Sequence, residues 1–460
     1  MFSPENVPLD VLQPILDHLS DRRDLNASAL VSRNFNRAAT PLLYRTLDSR
    51  ILKNNVLVHP SATLLKRPQL AHYVRHVTET GAVQRLRQYN PALTHDVTAA
   101  LRLCTNLESA TWIDDTETPE ANFLPVLQVL RTLPLRALTI RTQYDVGEAA
   151  WEILNGITGL RYLSVWSLEW GPPRVLQGWA ETLGSTLTHL ELGRCAGVPA
   201  TLLISVFMSL PHLLDLRLKG APSPAIPAIL ACLPALVALD TEYLGSGNYR
   251  PPLTPLPRLS RLTIRTSSVD VQGPQRLWSW TRALVPHQAT LRSFCLNAFS
   301  VQGQTAISRP FLVDIVRAHG ETMREWAVGT TQMTLESIAY LCKECPELET
   351  LVCSVASPSV AMIAEATAHA QNLRTLKLHV QWIPDADIPS QYDDVPAPFD
   401  IGTSVYTDLS HLSTIEGNNA MYFTAEHART LMLRNGSRLR AIALGGDRYI
   451  VSARLTMVLR

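Results

Sequence analysis

The stretch "LRYLSV" (160–165) is followed by "LTHLEL" (187–192) and "LLDLRL" (213–218), three copies of one frame, L-x-x-L-x-L. The frame returns as "LSRLTI" (259–264), "LETLVC" (348–353) and "LRTLKL" (373–378). Weaker copies fill the intervals: "LESATW" (107–112), "LRALTI" (135–140), "LVALDT" (236–241), "LRSFCL" (291–296), "MREWAV" (323–328) and "LRAIAL" (439–444). From Leu107 to Leu373 successive copies lie 23 to 32 residues apart, a period that belongs to stacked supersecondary units.

The alternation within each copy predicts a short strand with one buried face. The preceding segments, such as "VLQGWAETL" (175–183) with Leu176, Trp179 and Leu183 at helical spacing, predict a helix with one apolar stripe. Neither element can bury its apolar side alone. Stacking the units joins the strands into a parallel sheet and the helices into an outer layer, with a continuous core between them. Pro134, Pro211, Pro234, Pro257 and Pro346 agree, each expected to stop a helix one or two residues before a strand. The string "LTHLELGRCAGV" (187–198) adds Cys195 at a position where leucine-rich repeats carry Asn or Cys, and the chain resembles that family. The resemblance implies an α/β leucine-rich-repeat solenoid, its parallel sheet on the concave side and its helices on the convex side, over residues 107–460. Residues 49–106 read as a helical linker and first irregular repeats.

The segment before the repeats has a different pattern. "PLDVLQPILDHL" (8–19) sets Leu12, Ile15, Leu16 and Leu19 on one side of a helix. "DRRDLNASALV" (21–31) and "SRNFNRAAT" (32–40) follow as two further helical segments, with Ser32 placed as an N-cap and Pro41 expected to end the last. Pro14 removes one backbone donor and is expected to kink the first helix. Three short helices cannot enclose a self-sufficient core, and no metal ligands or paired cysteines support them, so a protein partner must. The string Val7-Pro8-Leu9-Asp10-Val11-Leu12, then Ile15-Leu16, Leu19, Asp24-Leu25, Leu30-Val31-Ser32-Arg33 and Phe35, resembles the F-box, and "PLLYRTL" (41–47) resembles the join found in fungal F-box proteins. The resemblance implies a small all-α module over residues 1–48 that docks a Skp-type adaptor and, through it, a cullin. Pro8, Leu12, Ile15, Leu16, Leu25, Leu30, Val31 and Phe35 are then divided between the module's core and the adaptor groove.

Composition excludes several alternatives. Apolar residues make up 46% of the chain, charged residues 18%, and the net charge is +1, which describes a globular protein with no long-range field to hold nucleic acid. "MFSPENVPLD" (1–10) has no basic or apolar signal-peptide region, and the longest apolar run, near Leu202 to Leu210, is too short to span a bilayer. A cytoplasmic or nuclear protein is expected, with no membrane partner. Seven scattered cysteines make no disulfide framework.

Catalytic motifs are missing from the sequence. There is no G-x-x-x-x-G-K-[ST], H-E-x-x-H or G-x-S-x-G, and the 13 histidines form no ligand-spaced cluster. Cys342-Lys343-Glu344-Cys345 has the spacing of a redox pair or half a zinc site, but lacks a second pair and the context either would need. Both cysteines read as core. "WIPDADIPSQYDDVPAPFDIG" (382–402) carries Asp385, Asp387, Asp393, Asp394 and Asp400 among prolines, without the EF-hand spacing or its terminal glutamate. It reads as a solvated acidic insertion over about residues 382–408, followed by a weak unit at "LSHLSTIEG" (409–417). No cofactor and no metal are expected.

With the frame's leucines turned inward, alternation sends the intervening residues to the concave face. These are Tyr162, Trp166, His189, Glu191, Asp215, Arg217, Lys219, Asp240, Glu242, Arg261 and Arg265. The expected rows are Glu191, Arg217, Asp240 and Lys219, Glu242, Arg265. Their signs alternate, which suits a ladder of surface ion pairs or a polar recognition strip beside the aromatic pair Tyr162 and Trp166. The expected function is the non-catalytic substrate-recognition subunit of a cullin-RING (SCF-type) ubiquitin ligase. The alternative is a repeat-based interaction scaffold with no ligase role.

Overall fold

A computed structural model describes residues 7–49, 52–53, 56–57, 59–80, 92–116, 119–167, 178–245, 258–266, 275–286, 288–298, 306–383, 423–434, 436–444, 447–451 and 457–459. The chain divides into two compact units, Met1–Leu259 and Ser260–Arg460.

The first unit opens with three helices, α1 (Leu9–Asp17), α2 (Arg22–Ala29) and α3 (Arg33–Arg45). Two of their starts carry side-chain caps that satisfy otherwise orphaned N–H groups. The Asp21 carboxylate accepts from the Arg23 N–H at 2.8 Å, and the Ser32 hydroxyl accepts from the Phe35 N–H at 3.3 Å. Leu12, Leu16, Leu25, Ala29, Ala38 and Ala39 form the core between the helices. Contrary to expectation, α3 does not end at Pro41 but runs on to Arg45. Proline there forfeits one intrahelical bond, which is offset because Leu42 and Leu43 beyond it pack on the core. The helix α1 likewise holds Pro14 inside its span, on an exposed side.

The helix α3 passes straight into the first strand, Thr46–Asp48, since Thr46 is both its C-cap and the strand's first residue. Seven more strands of the same sheet follow in chain order, each parallel to the last: His76–Thr80, Ser109–Asp114, Ala137–Thr142, Tyr162–Ser167, His189–Leu192, Asp215–Leu218 and Ala238–Tyr243. Helices such as Leu93–Leu103, Glu148–Asn155 and Ala200–Met208 connect them. In the second unit six strands are parallel: Arg261–Thr266, Ser293–Ala298, Glu325–Met333, Thr350–Ser357, Thr375–Trp382 and Ala441–Leu444. Two antiparallel strands, Asp447–Val451 and Met457–Leu459, follow them.

All twelve copies of the leucine frame are strands, and every strand begins two residues after the first position of its copy. The offset explains the prolines. Pro134, Pro211, Pro234 and Pro346 stand three or four residues before their strands instead of one or two, because the first leucine of each frame lies ahead of the sheet. Leu160, Leu187 and Leu213 are at most 1% exposed there and close the core from below. The second and third apolar positions, such as Leu163 and Val165 or Leu216 and Leu218, fill the space between sheet and helices. This is the α/β leucine-rich-repeat solenoid. Two strands of this sheet, at Thr46 and His76, precede the first copy of the frame, with a small antiparallel pair, Leu52–Lys53 and Val56–Leu57, between them in sequence.

The expected helix around Trp179 is short, Trp179–Leu183, and starts after Gly178 at φ 86°, a left-handed conformation that glycine adopts without steric cost. Leu176, Pro257, the acidic insertion with Asp385, Asp387, Asp393, Asp394 and Asp400, and the weak unit at 409–417 lie outside the described residues. No helix among the described residues is long and apolar enough to cross a membrane.

Candidate functional site

The helical module sorts its apolar residues into two groups. Leu12, Leu16 and Leu25 are 2%, 3% and 6% exposed and belong to its core, with Phe35 half-buried against them. Ile15 at 55%, Leu30 at 79% and Val31 at 54% point to solvent, and Pro8 is exposed beside them in sequence. The division between core and groove that spacing left open thus puts Leu12 and Leu16 inside and Ile15 outside. Leu12 and Leu16 suffice to meet α2 and α3, and Ile15 falls on the flank. Sequence reasoning passed over Val11, which stands exposed three residues from Pro8 and four from Ile15, a spacing that sets the three along one side of a helix. Four of the eleven large hydrophobic side chains that are exposed among the described residues fall between Val11 and Val31. Exposed apolar side chains this close together in sequence make the module a candidate contact surface.

The second surface is the sheet face turned away from the helices. Register places Thr78, Thr111, Thr139, Ser164, Glu191, Arg217 and Asp240 level across seven strands. Tyr162, His189 and Asp215 make the row beside it. Glu191, expected to be open to solvent, is 7% exposed. The Tyr162 and Ser164 hydroxyls donate to its carboxylate at 3.2 and 2.9 Å and close over it. Burial and the Glu191 charge push the Tyr162 phenol above its ordinary pKa. Arg217 pairs along its own strand with Asp215, at 3.9 Å. The Glu242 carboxylate accepts from the Gly220 N–H at 3.0 Å. Trp166 lies between two cations, the Arg141 guanidinium 5.9 Å and the Lys219 ammonium 5.7 Å from its ring centre. Arg261 and Arg265 are in the second unit, exposed and half-buried on its first strand.

Comparison with known proteins bears on the helical module. Residues 5–50 match the F-box-like family model. The N-terminal module is F-box-like. None of the curated proteins matches the sequence. Among solved structures the chain is similar to the yeast Rad7 and Elc1 complex, at 13% identity and a TM-score of 0.45, covering 81% of this chain and 86% of that one. An internalin (inlF) from Listeria monocytogenes gives 13% identity and 0.34, over 65% and 89% of the two chains. The Drosophila Toll–Spatzle complex gives 13% and 0.35, over 74% and 48%.

The F-box-like module is fixed to the sheet by polar contacts that the sequence did not reveal. Arg22 on α2 donates to the carbonyls of Leu43 at 2.9 Å and Thr46 at 3.2 Å, where α3 turns into the strand. Beyond it His59, Ser61 and Glu79 form an enclosed network, 6%, 2% and 5% exposed. His59 Nδ1 accepts from the Ser61 N–H at 3.1 Å and meets the Ser61 hydroxyl at 2.8 Å, so the proton sits on Nε2, 3.1 Å from the Glu79 carboxylate. A hydroxyl, an imidazole and a carboxylate in line is the order of an acyl-transfer triad. Here the serine is sealed from solvent, and the network ties residues 59–61 to the strand His76–Thr80.

The Cys342 and Cys345 side chains are fully enclosed, and burial pushes both thiols up to about 12. At neutral pH both are protonated thiols packed in the core, unsuited to attack or to metal binding. Cys195 is equally buried, its thiol also raised to about 12 by desolvation. Among the described residues no group of three His, Cys, Asp or Glu side chains is placed to hold a metal ion.

Proposed function

We propose that the chain is the substrate-recognition subunit of a cullin-RING (SCF-type) ubiquitin ligase. Its F-box-like module docks a Skp-type adaptor, through which a cullin is recruited, and the repeats hold the target protein. Ubiquitin transfer is the work of the partner subunits, and the chain's own task is positioning. The reading rests on one observation above all: a module matched as F-box-like keeps Pro8, Val11, Ile15, Leu30 and Val31 exposed while its own core is already filled. Leaving these side chains in water costs roughly 25 cal/mol per Å² of apolar surface, which a partner recovers on docking. The target surface in this reading is the sheet face of the first unit, with Tyr162, Trp166, His189, Asp215, Arg217 and Lys219 standing nearest one another. A soluble chain working in the cytoplasm or nucleus is consistent with this role. The test is mixing of the purified chain with a Skp-type adaptor and cullin. Wild type should form the ternary complex, and Leu30→Asp with Val31→Asp should not. Equal assembly by both would overturn the proposal.

A further inference from the structure

The acids on the sheet face of the first unit are already engaged. Glu191 accepts from Tyr162 and Ser164, Glu242 from the Gly220 N–H, and Asp215 pairs with Arg217. Arg141 and Lys219 differ. Both are exposed, and among the described residues neither side chain has a carboxylate or hydrogen-bond partner, only the Trp166 ring. Arg141 stands level with Trp166 on the neighbouring strand. Lys219 approaches from the other side, two strands along.

What lets the ring reach toward Lys219 as well is Gly193. A Cβ at that position would lie 2.2 Å from Trp166 Cδ2, closer than any packing allows, so the indole reaches across bare backbone there. The Gly193 N–H still donates to the Val165 carbonyl at 2.8 Å, which keeps the glycine in the sheet frame. Any larger residue would lift the ring and separate it from Lys219. An aromatic platform with two uncompensated positive charges at its edges calls for an anion from outside the chain. The surrounding charges decide which kind. Against Arg141, Arg217 and Lys219 stand Glu191, Asp215, Asp240 and Glu242 on the strands from Ala137–Thr142 to Ala238–Tyr243 of the same sheet, so the local field favours a single negative charge over a doubly charged phosphate.

We propose that Arg141, Trp166 and Lys219 bind an acidic side chain, Asp or Glu, of an extended target segment, with an apolar neighbour of that segment lying on the indole. The inference rests on the receptor reading above and gives its target site a chemistry. A random twelve-residue peptide library, displayed through its C-terminus, offers side-chain carboxylates but neither a free chain end nor phosphate. Selection on the full-length chain should enrich Asp or Glu at one position next to an apolar residue. The recovered peptides, made synthetically, should bind Arg141→Ala with Lys219→Ala at least tenfold more weakly than wild type. Gly193→Ala, which leaves every charge in place, should weaken them as well. Exchange of the selected acid for its amide should cost tenfold too, and exchange for phosphoserine should bring no gain. Selection without acidic enrichment, recovery of no binder, undiminished binding by the double variant, or a preference for phosphoserine would each overturn the proposal. Adaptor assembly by the same protein preparation separates the two readings. A chain that assembles with adaptor but selects no acid refutes this site alone, and a chain that fails to assemble refutes the receptor reading whatever it selects.

Discussion

At the scale of the residue, two buried histidines carry most of what can be tested. The His59 proton is directed at Glu79, and both side chains are sealed. His59→Ala would strand the Glu79 carboxylate without its donor, a loss of roughly 1–3 kcal/mol or more, seen as an earlier midpoint in urea. An unchanged midpoint would show that the network contributes nothing to stability. His319 lies in the second unit with Nδ1 accepting from the Thr290 and Leu291 N–H groups at 3.2 and 3.4 Å. Its neutral form is locked in, and burial holds its pKa below the ordinary value, against a smaller opposing contribution from the Pro286 backbone. Because the unfolded chain then takes up the proton more readily, stability should be full above about pH 6.5 and fall as the pH drops below it. The same sign applies to His76, lowered first by burial and then by Arg45 and Arg75 against Glu108. His319→Asn should therefore reduce the acid slope of the melting temperature without removing it, and an identical slope would refute the assignment.

At the scale of the element, the helical module separates support from contact. Leu12 on α1 is core, and Ile15, one residue short of a full turn further on, is surface. Leu12→Asp should bury a carboxylate without a partner, open the module to proteolysis within residues 9–45, and lose the adaptor as a consequence. Ile15→Asp should lose the adaptor with stability within about 0.5 kcal/mol of wild type. If both variants melt alike, the division between core and groove is wrong. This division was the part of the site that the sequence could not supply. Spacing brought Leu12, Ile15 and Leu16 together, but which flank of α1 meets α2 and α3 depends on interhelical geometry. The strands were far more legible. Their frame is written in leucines with period two, and the register between strands follows from the same positions in each copy. The His59, Ser61 and Glu79 network was illegible for the opposite reason, since Glu79 lies 20 residues from His59 and no periodicity links them. Trp166 was legible as a face residue. Its bracketing by Arg141 and Lys219 depends on a missing Cβ at Gly193, which no pattern of apolar residues encodes.

At the scale of the whole molecule, a continuous backbone joins two surfaces of the first unit. Helix α3 becomes the strand Thr46–Asp48 with no loop between them, and that strand pairs with His76–Thr80. A flexible Gly-Ser insertion after Thr46 should therefore leave both adaptor and target capture intact while lowering ubiquitin transfer to the captured target, since the two ends lose their fixed geometry. Undiminished transfer would show that the junction's rigidity has no role. The central claim is that residues 1–48 dock an adaptor while the repeats do not. Its most direct measurement is affinity purification of the full chain and of a chain lacking residues 1–48, with adaptor and cullin quantified in both. The account predicts both partners in near-equal amounts with the full chain and neither with the truncated one, the repeats remaining folded. Recovery of adaptor and cullin at wild-type levels from the truncated chain would contradict it.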